Sequence, residues 1–352
     1  MSLSRIASTA VVLAAATSLC AEPAARSYRR TEKTFADSTA GDYASGEDLT
    51  VRRAAVEALG KFNGSVVVVE SDSGRVLTMV NQKLALSDGY IPCSTIKLVT
   101  SLAALSEGLI EPSEKVWFEE QWFMTLVEGL AISNNVIFDH LGERLGFERV
   151  RRYARWLGLG ERAGWDIPGE QVGLFPAEEH KAGVGRMTSF GDGISVTPLQ
   201  LAALAGAFAN GGTLYYLQHP ATAEEAARLE PRVKRRLAIG RWLPEIEQGM
   251  RESVKRGTGR KARVAGLEVF GKTGTCSLYL RRARTQLGWF ASYNRPTGGR
   301  RIAVVVMLRG GPMMFGPRAA EIAGDIYRSL GDQGYFSGGP GEFQAAAASS
   351  SP

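Results

Sequence analysis

Histidine and cysteine are both scarce, with three of each in 352 residues. His140, His180 and His219 are not spaced as metal ligands, and no metal or other cofactor is expected. Beyond the N-terminus no segment is long and apolar enough to span a bilayer, which takes about 20 residues. There are no internal repeats. A nucleic-acid footprint is missing too. The net charge is +6, but the arginine pairs (Arg29-Arg30, Arg151-Arg152, Arg235-Arg236, Arg281-Arg282) are scattered, and no basic stripe interleaved with aromatics appears. Solvated surface charge is the reading, with no nucleic-acid partner.

What is present is ordinary for a folded chain: 44% apolar and 22% charged residues, enough length for one large domain or two smaller ones. The N-terminus reads as an export signal over 1–21. Met1–Arg5 supply positive charge, Ile6–Leu19 are apolar or small, and Leu19-Cys20-Ala21 offers a cleavage site. The expected location is therefore periplasmic or on the outer face of the cytoplasmic membrane. Membrane association is expected only through an uncut signal segment. Residues 22–48 are polar and read as a linker, 49–332 as the folded domain, and 333–352 as a disordered, low-complexity tail.

Within the domain, "LTVRRAAVEALGKF" reads as a helix and "GSVVVVESDSGRVLTMVN" as a hairpin turning at Asp72-Ser73-Gly74. Residues 94–107 form a mostly apolar and hence buried helix. Helices follow over 135–145 and 148–157. Another starts with a capping box at Thr197 and Gln200. "LEVFGKT", "LGWFASYN" and "RIAVVVMLRG" are strands, and 317–330 is a closing helix. Strands at both ends with helices between predict an α+β fold: an antiparallel sheet carrying a helical subdomain. Trp117 and Trp122 read most simply as core, with cleft lining as the alternative.

"GLEVFGKTGTC" (266–276) admits two readings. From Gly266 it matches G-x-x-x-x-G-K-[ST], a phosphate-binding loop. From Lys272 it matches K-T-G, one corner of a serine acyltransferase site. A phosphate loop needs a helix after its Lys-Thr and a flexible cradle before it. Here Gly274 follows, and Leu267-Glu268-Val269-Phe270 is a strand interior. No nucleotide is expected.

The acyltransferase reading requires partners, and they are present in order: Ser94-x-x-Lys97 in "PCSTIK", Ser133-x-Asn135 in "AISNN", and Lys272-Thr273-Gly274. S-x-x-K alone arises about once by chance in a chain this long, whereas the ordered set of three is specific. The chemistry suits the residue types. Ser94 starts a helix, where backbone N–H groups favour negative charge. Lys97 lies one turn on, on the same face. Beside apolar groups and a second cation, Lys272, it loses its proton readily and can activate the serine. Ser133 can relay a proton, and Asn135 can bind a substrate amide. Thr273 and Thr275 can hold a carboxylate, and the N–H groups of Ser94 and Thr275 can form an oxyanion hole.

With these motifs, and with "GWDIPGE" and "GTGRKARVAGLEVFGKTGT" between them, the chain resembles the transpeptidase domain of penicillin-binding proteins over about residues 60–330. The resemblance implies a five-stranded antiparallel sheet flanked by helices plus an all-helical subdomain. It implies action on D-alanyl-D-alanine stem peptides of peptidoglycan as transpeptidase or carboxypeptidase, and acylation by β-lactam antibiotics. Two further readings stay open. The short interval before Ser94 and "STIKLVTSLAALSEGLI" resemble class D β-lactamases, although those carry an apolar residue where Asn135 stands and use a carboxylated lysine. A non-catalytic, penicillin-sensing module is the other. If Ser94 and Thr275 share one oxyanion, the flanking Cys93 and Cys276 come close enough to be a disulfide candidate.

Overall fold

Runs of β-branched residues from both ends of the chain meet in one sheet. The computed structural model describes residues 31–118, 121–280, 283–296 and 299–337. In chain order, helix α1 (Leu49–Leu59) is followed by β1 (Gly64–Glu70), β2 (Val76–Val80) and the short α2 (Gln82–Ala85). A 3₁₀ turn (Cys93–Ile96) leads into α3 (Lys97–Ser106), then β3 (Val116–Phe118), β4 (Trp122–Met124), α4 (Leu126–Ile132), α5 (Val136–Leu145), α6 (Phe147–Trp156) and α7 (Val184–Ser189). Next come α8 (Pro198–Ala209), β5 (Thr213–Tyr215), α9 (Ala223–Ala227), β6 (Val233–Arg236) and α10 (Leu243–Lys255). The long strands β7 (Glu268–Leu280), β8 (Ala283–Arg295) and β9 (Ile302–Gly310) precede the closing helix α11 (Gly316–Asp332).

The main sheet is five-stranded and antiparallel, in the order β2-β1-β9-β8-β7. The inner strands β1 and β9 carry long unbroken apolar runs because both of their faces are covered. Val67 and Val69 of β1, with Ala303, Val305 and Met307 of β9, face a core shared with α3, α5 and α8. Val66 and Val68, with Val304, Val306 and Leu308, face a second core built with α1 and α11. Each such valine, fully buried, contributes roughly 1.5–3 kcal/mol. Helices α3 to α7 pack on one another as a helical layer, with α10 against α4. This is the expected α+β architecture.

At both ends packed residues extend beyond the expected domain of 49–332 into the polar segments. Residues 31–48, read as linker, include buried side chains. Glu47 accepts hydrogen bonds from Thr78 Oγ1 (2.6 Å) and Met79 N (3.0 Å), and Asp42 accepts from the backbone N–H groups of Asn81 and Gln82. Polar anchoring of this kind leaves no hydrophobic pattern to read. At the other end, Tyr335 and Phe336, placed in the tail, are buried against the α11 core. Tyr335 Oη donates to Asp48, the N-cap of α1. Residues 1–21 and those beyond 337 lie outside the described residues. Among the described residues no helix is long and apolar enough to cross a membrane.

Trp117 and Trp122 are exposed rather than core. They sit on the separate two-stranded hairpin β3–β4, which did not stand out in the sequence. Lys272 and Thr273 lie in the interior of β7, with no helix after them. That geometry is incompatible with a phosphate loop.

Candidate active site

The serine turn is held by polar anchors. Thr95 Oγ1 donates to Pro92 O (2.7 Å), and Trp289 Nε1 of β8 donates to Ile91 O (2.9 Å). Cys93 adopts a left-handed conformation, φ 51°, which presents half-buried Ser94 beside the edge strand β7. A side chain at position 274 could not be accommodated there. A Cβ on Gly274 would stand 2.9 Å from Pro92 O and 3.3 Å from Cys93 Cβ. The glycine of K-T-G is thus required by the close approach of strand and turn. Two residues on, Cys276 is joined to Cys93 by a disulfide, with a Cα separation of 5.7 Å.

Lys97 is fully buried one turn after Ser94. Its Nζ donates to Ser133 O at 2.8 Å and to Asn135 Oδ1 at 2.6 Å, and lies 3.4 Å from Ser133 Oγ. The Phe138 ring centroid is 5.2 Å away. Lys272, equally buried, donates to Ser133 Oγ at 2.7 Å and to Thr273 O at 3.0 Å. Two lysines from different layers therefore converge on one hydroxyl. Burial, with the Lys272 charge adding to it, lowers the Lys97 pKa to about 6. Burial lowers that of Lys272 to about 7. A neutral Lys97 suits the contacts: two N–H groups reach Ser133 O and Asn135 Oδ1, and one lone pair is left to accept a hydroxyl proton. The Ser94 hydroxyl makes no hydrogen bond in this arrangement, so its approach to Lys97 is left to the reacting state.

Local sequence explains how α4 and α5 deliver Ser133 and Asn135. A capping box, Thr125 with Glu128, starts α4, and Ser133 ends it in a left-handed conformation, φ 58°. That turn directs the Ser133 carbonyl and hydroxyl toward the lysines. The neighbouring Asn134 caps α5, accepting from Val136 N (2.8 Å) and Ile137 N (3.2 Å). With the cap supplied by Asn134, the Asn135 side chain is released to face Lys97.

Along β7, alternation places Lys272, Gly274 and Cys276 on one face and Thr273 and Thr275 on the other. Thr275 Oγ1 accepts from Gly316 N (2.8 Å), leaving its own O–H to donate. Thr273 Oγ1 is 2.5 Å from Thr258 Oγ1. Thr258 was not anticipated, although it lies in "GTGRK". Its neighbour Gly257 is the signal: a Cβ there would meet Ala131 O at 2.0 Å, so only glycine lets this segment cross the end of α4. Every residue singled out from the motifs thus lies on the serine turn, the start of α3, the α4–α5 junction or β7. Three of them, Lys97, Ser133 and Lys272, share one hydrogen-bonded chain. Among the described residues no cluster of His, Cys, Asp and Glu could hold a metal ion.

The chain is similar to known proteins in sequence and in fold. The family model described as penicillin-binding protein transpeptidase domain matches residues 64–328. Stage V sporulation protein D of Bacillus subtilis is 33% identical over 222 residues, covering 56% of this chain and 34% of that protein. Peptidoglycan D,D-transpeptidase FtsI of Escherichia coli is 28% identical over 250 residues, covering 60% of this chain and 41% of that protein. The chain therefore spans well under half the length of these curated relatives. The transpeptidase domain of penicillin-binding protein 3 from Burkholderia pseudomallei superposes with a TM-score of 0.68 at 22% identity, covering 83% of this chain and 96% of that one.

Proposed function

The chain belongs to the penicillin-binding protein transpeptidase family, and from that premise we propose that it is a serine D,D-transpeptidase acting on peptidoglycan stem peptides outside the cytoplasm. The observation that carries the reading is the chain Lys97–Ser133–Lys272, set one helical turn from Ser94 and buried throughout at its two lysines.

The chemistry follows from these positions. Neutral Lys97 takes the proton of Ser94 Oγ as that oxygen attacks the carbonyl carbon between the two terminal D-alanines. The backbone N–H groups of Ser94 and Thr275 take up the charge on the tetrahedral oxygen. The C–N bond then breaks. Ser133 Oγ gives its proton to the departing amine and regains one from Lys97, while Lys272 holds the relay oxygen in place. Thr273 and Thr275 hold the terminal carboxylate, and Asn135 a substrate amide. An ester on Ser94 remains, and an amine from a second stem peptide displaces it. Water as the acceptor makes the same site a D,D-carboxypeptidase. A β-lactam, entering as a mimic of the donor, leaves its full mass on Ser94.

The class D β-lactamase alternative calls for a carboxylated lysine in an apolar pocket. Asn135 Oδ1, 2.6 Å from Lys97 Nζ, makes that pocket polar and occupies one of its N–H groups. This favours the transpeptidase reading. The experiment is incubation with a fluorescent penicillin, following the adduct by intact mass. A long-lived adduct on the Ser94 peptide, absent from Ser94→Ala, is the expected result. Rapid turnover assigns a β-lactamase instead, and no adduct at all a non-catalytic module.

A further inference from the structure

A carboxylate accepts hydrogen bonds and donates none, and a threonine hydroxyl has one proton to give. A threonine therefore binds a carboxylate only if its own O–H is left for the ligand. Thr275 meets this condition, because its Oγ1 accepts from Gly316 N at 2.8 Å. Thr273 is buried, and its Oγ1 lies 2.5 Å from Thr258 Oγ1. One proton lies between the two oxygens. If Thr273 gives it, Thr273 turns only lone pairs toward a ligand. If Thr258 gives it, the Thr273 O–H is free for a carboxylate.

Thr258 is fixed by its backbone, which leaves its hydroxyl for Thr273. Its N–H donates to Ala131 O of α4 at 3.1 Å. Glycines on both sides let the chain pass this closely. A Cβ on Gly257 would meet Ala131 O at 2.0 Å, and one on Gly259 would meet Ser253 Oγ at 3.0 Å and Phe290 Cε2 at 3.1 Å. Ala131 precedes Ser133 by two residues, and Ser133 Oγ accepts from Lys272, the neighbour of Thr273. Thr258 thus closes a ring that joins the lysine relay to the pair of threonines on β7. Its place in that ring is set by α4, independently of any ligand. We propose that Thr258 is a positioning residue for carboxylate recognition: it donates to Thr273 Oγ1 and so commits the Thr273 O–H to the carboxylate of the substrate or β-lactam. The proposal rests on the acyl-transfer reading and adds to it a residue outside the three motifs.

The test compares acylation of the full chain by benzylpenicillin and by its methyl ester, which lacks the carboxylate. The wild type is expected to prefer the acid. Thr258→Val keeps the shape and removes the donor, and is expected to shrink that preference by about ten- to a hundredfold, the scale of one hydrogen bond to a charged group. Thr258→Ser is expected to retain it. The methyl-ester rate should stay near that of the wild type, and so reports that the site is assembled. Should the valine variant lose that rate, Thr258→Ala takes its place. In a Thr273→Val background, Thr258→Val is expected to change the preference no further. No preference in the wild type overturns the proposal, as does equal slowing of both compounds in Thr258→Val and Thr258→Ala. A loss that persists in the Thr273→Val background overturns it too, because Thr258 would then bind the carboxylate itself. If neither compound leaves an adduct on wild-type Ser94, the acyl-transfer reading fails. The hydroxyl pair is then judged by calorimetric titration of acetyl-D-alanyl-D-alanine against its C-terminal amide. Tighter binding of the acid, lost in Thr258→Val, supports the proposal, and equal or absent binding of the two overturns it.

Discussion

Cys93 and Cys276 are bonded across a separation of 183 residues, and each adjoins a residue assigned to the oxyanion hole. The bond ties the serine turn to strand β7. In the chain-entropy account, closing a loop of this length stabilises the fold by up to about 5 kcal/mol. Reduction, or Cys276→Ser, is therefore expected to lower the urea midpoint and to slow acylation of Ser94. Urea titrations with and without reductant check the first, and penicillin labelling the second. Equal midpoints in both conditions would count against a structural role for the bond.

Removing the base is the sharpest test of the relay. Lys97→Met keeps the length and removes the amine, so acylation is expected to fall by about 10²- to 10⁴-fold. The fold should persist, because methionine leaves no buried amine to desolvate. Stopped-flow labelling beside circular dichroism separates the two. Labelling near the wild-type rate would move the role of base to another group.

The acylation rate should depend on pH through the two lysines. Lys97 titrates at about 6 and Lys272 at about 7. The working state has Lys97 neutral and Lys272 charged. The rate is therefore expected to rise as pH passes about 6 and to fall on the alkaline side as Lys272 loses its proton, the two limbs belonging to the coupled pair. In Lys272→Ala the like charge is gone, so the Lys97 pKa moves up toward its ordinary value and the rising limb moves to higher pH. A rising limb that stays in place would remove Lys272 from the account.

Stability should respond to pH in the same region, and the sign is determined. Each lysine has a folded pKa below its unfolded value of about 10.5. Below the folded values both states are protonated, and the cost of burying charge is fully present. Between the folded and unfolded values the unfolded chain binds protons that the folded chain does not, so stability rises with pH. Unfolding free energy measured from pH 5 to pH 9 should climb, and less steeply in Lys97→Met. Parallel curves would show that Lys97 keeps its proton in the folded state.

Gly274→Ala tests the closeness of strand and turn. The added Cβ meets backbone at 2.9 Å, a clash with no flexible side chain to yield. A loss of about 1–3 kcal/mol is expected, with slower acylation because the turn is displaced. Gly266→Ala is the comparison: it has a positive φ but no atom within 4 Å of the added Cβ. Gly274 has no positive φ, so an unchanged stability in Gly274→Ala would mean that the turn gives way to the added Cβ and that the contact is not close.

Much of this protein was legible without coordinates. Local rules governed the β-branched strands, the capping box at Thr197 and Gln200, and the helices behind Ser94 and after Asn135, because those elements are stabilised by residues close in sequence. The residue types of the site were legible too, since S-x-x-K, S-x-N and K-T-G carry their chemistry in their side chains. Two polar segments were misjudged at the ends of the domain. Glu47 and Tyr335 are held by hydrogen bonds to partners distant in sequence, which leave no periodic trace. The exposed hairpin with Trp117 was hidden for a related reason, since an aromatic residue reads as core until its neighbours are known. Thr258, the junction that turns Ser133 toward two lysines, and the lowered pKa values of those lysines arise only when α3, α4 and β7 meet. Burial and like charge are properties of the assembled layers. The sequence named the candidate groups, and packing alone brought Lys97, Ser133 and Lys272 into one hydrogen-bonded chain.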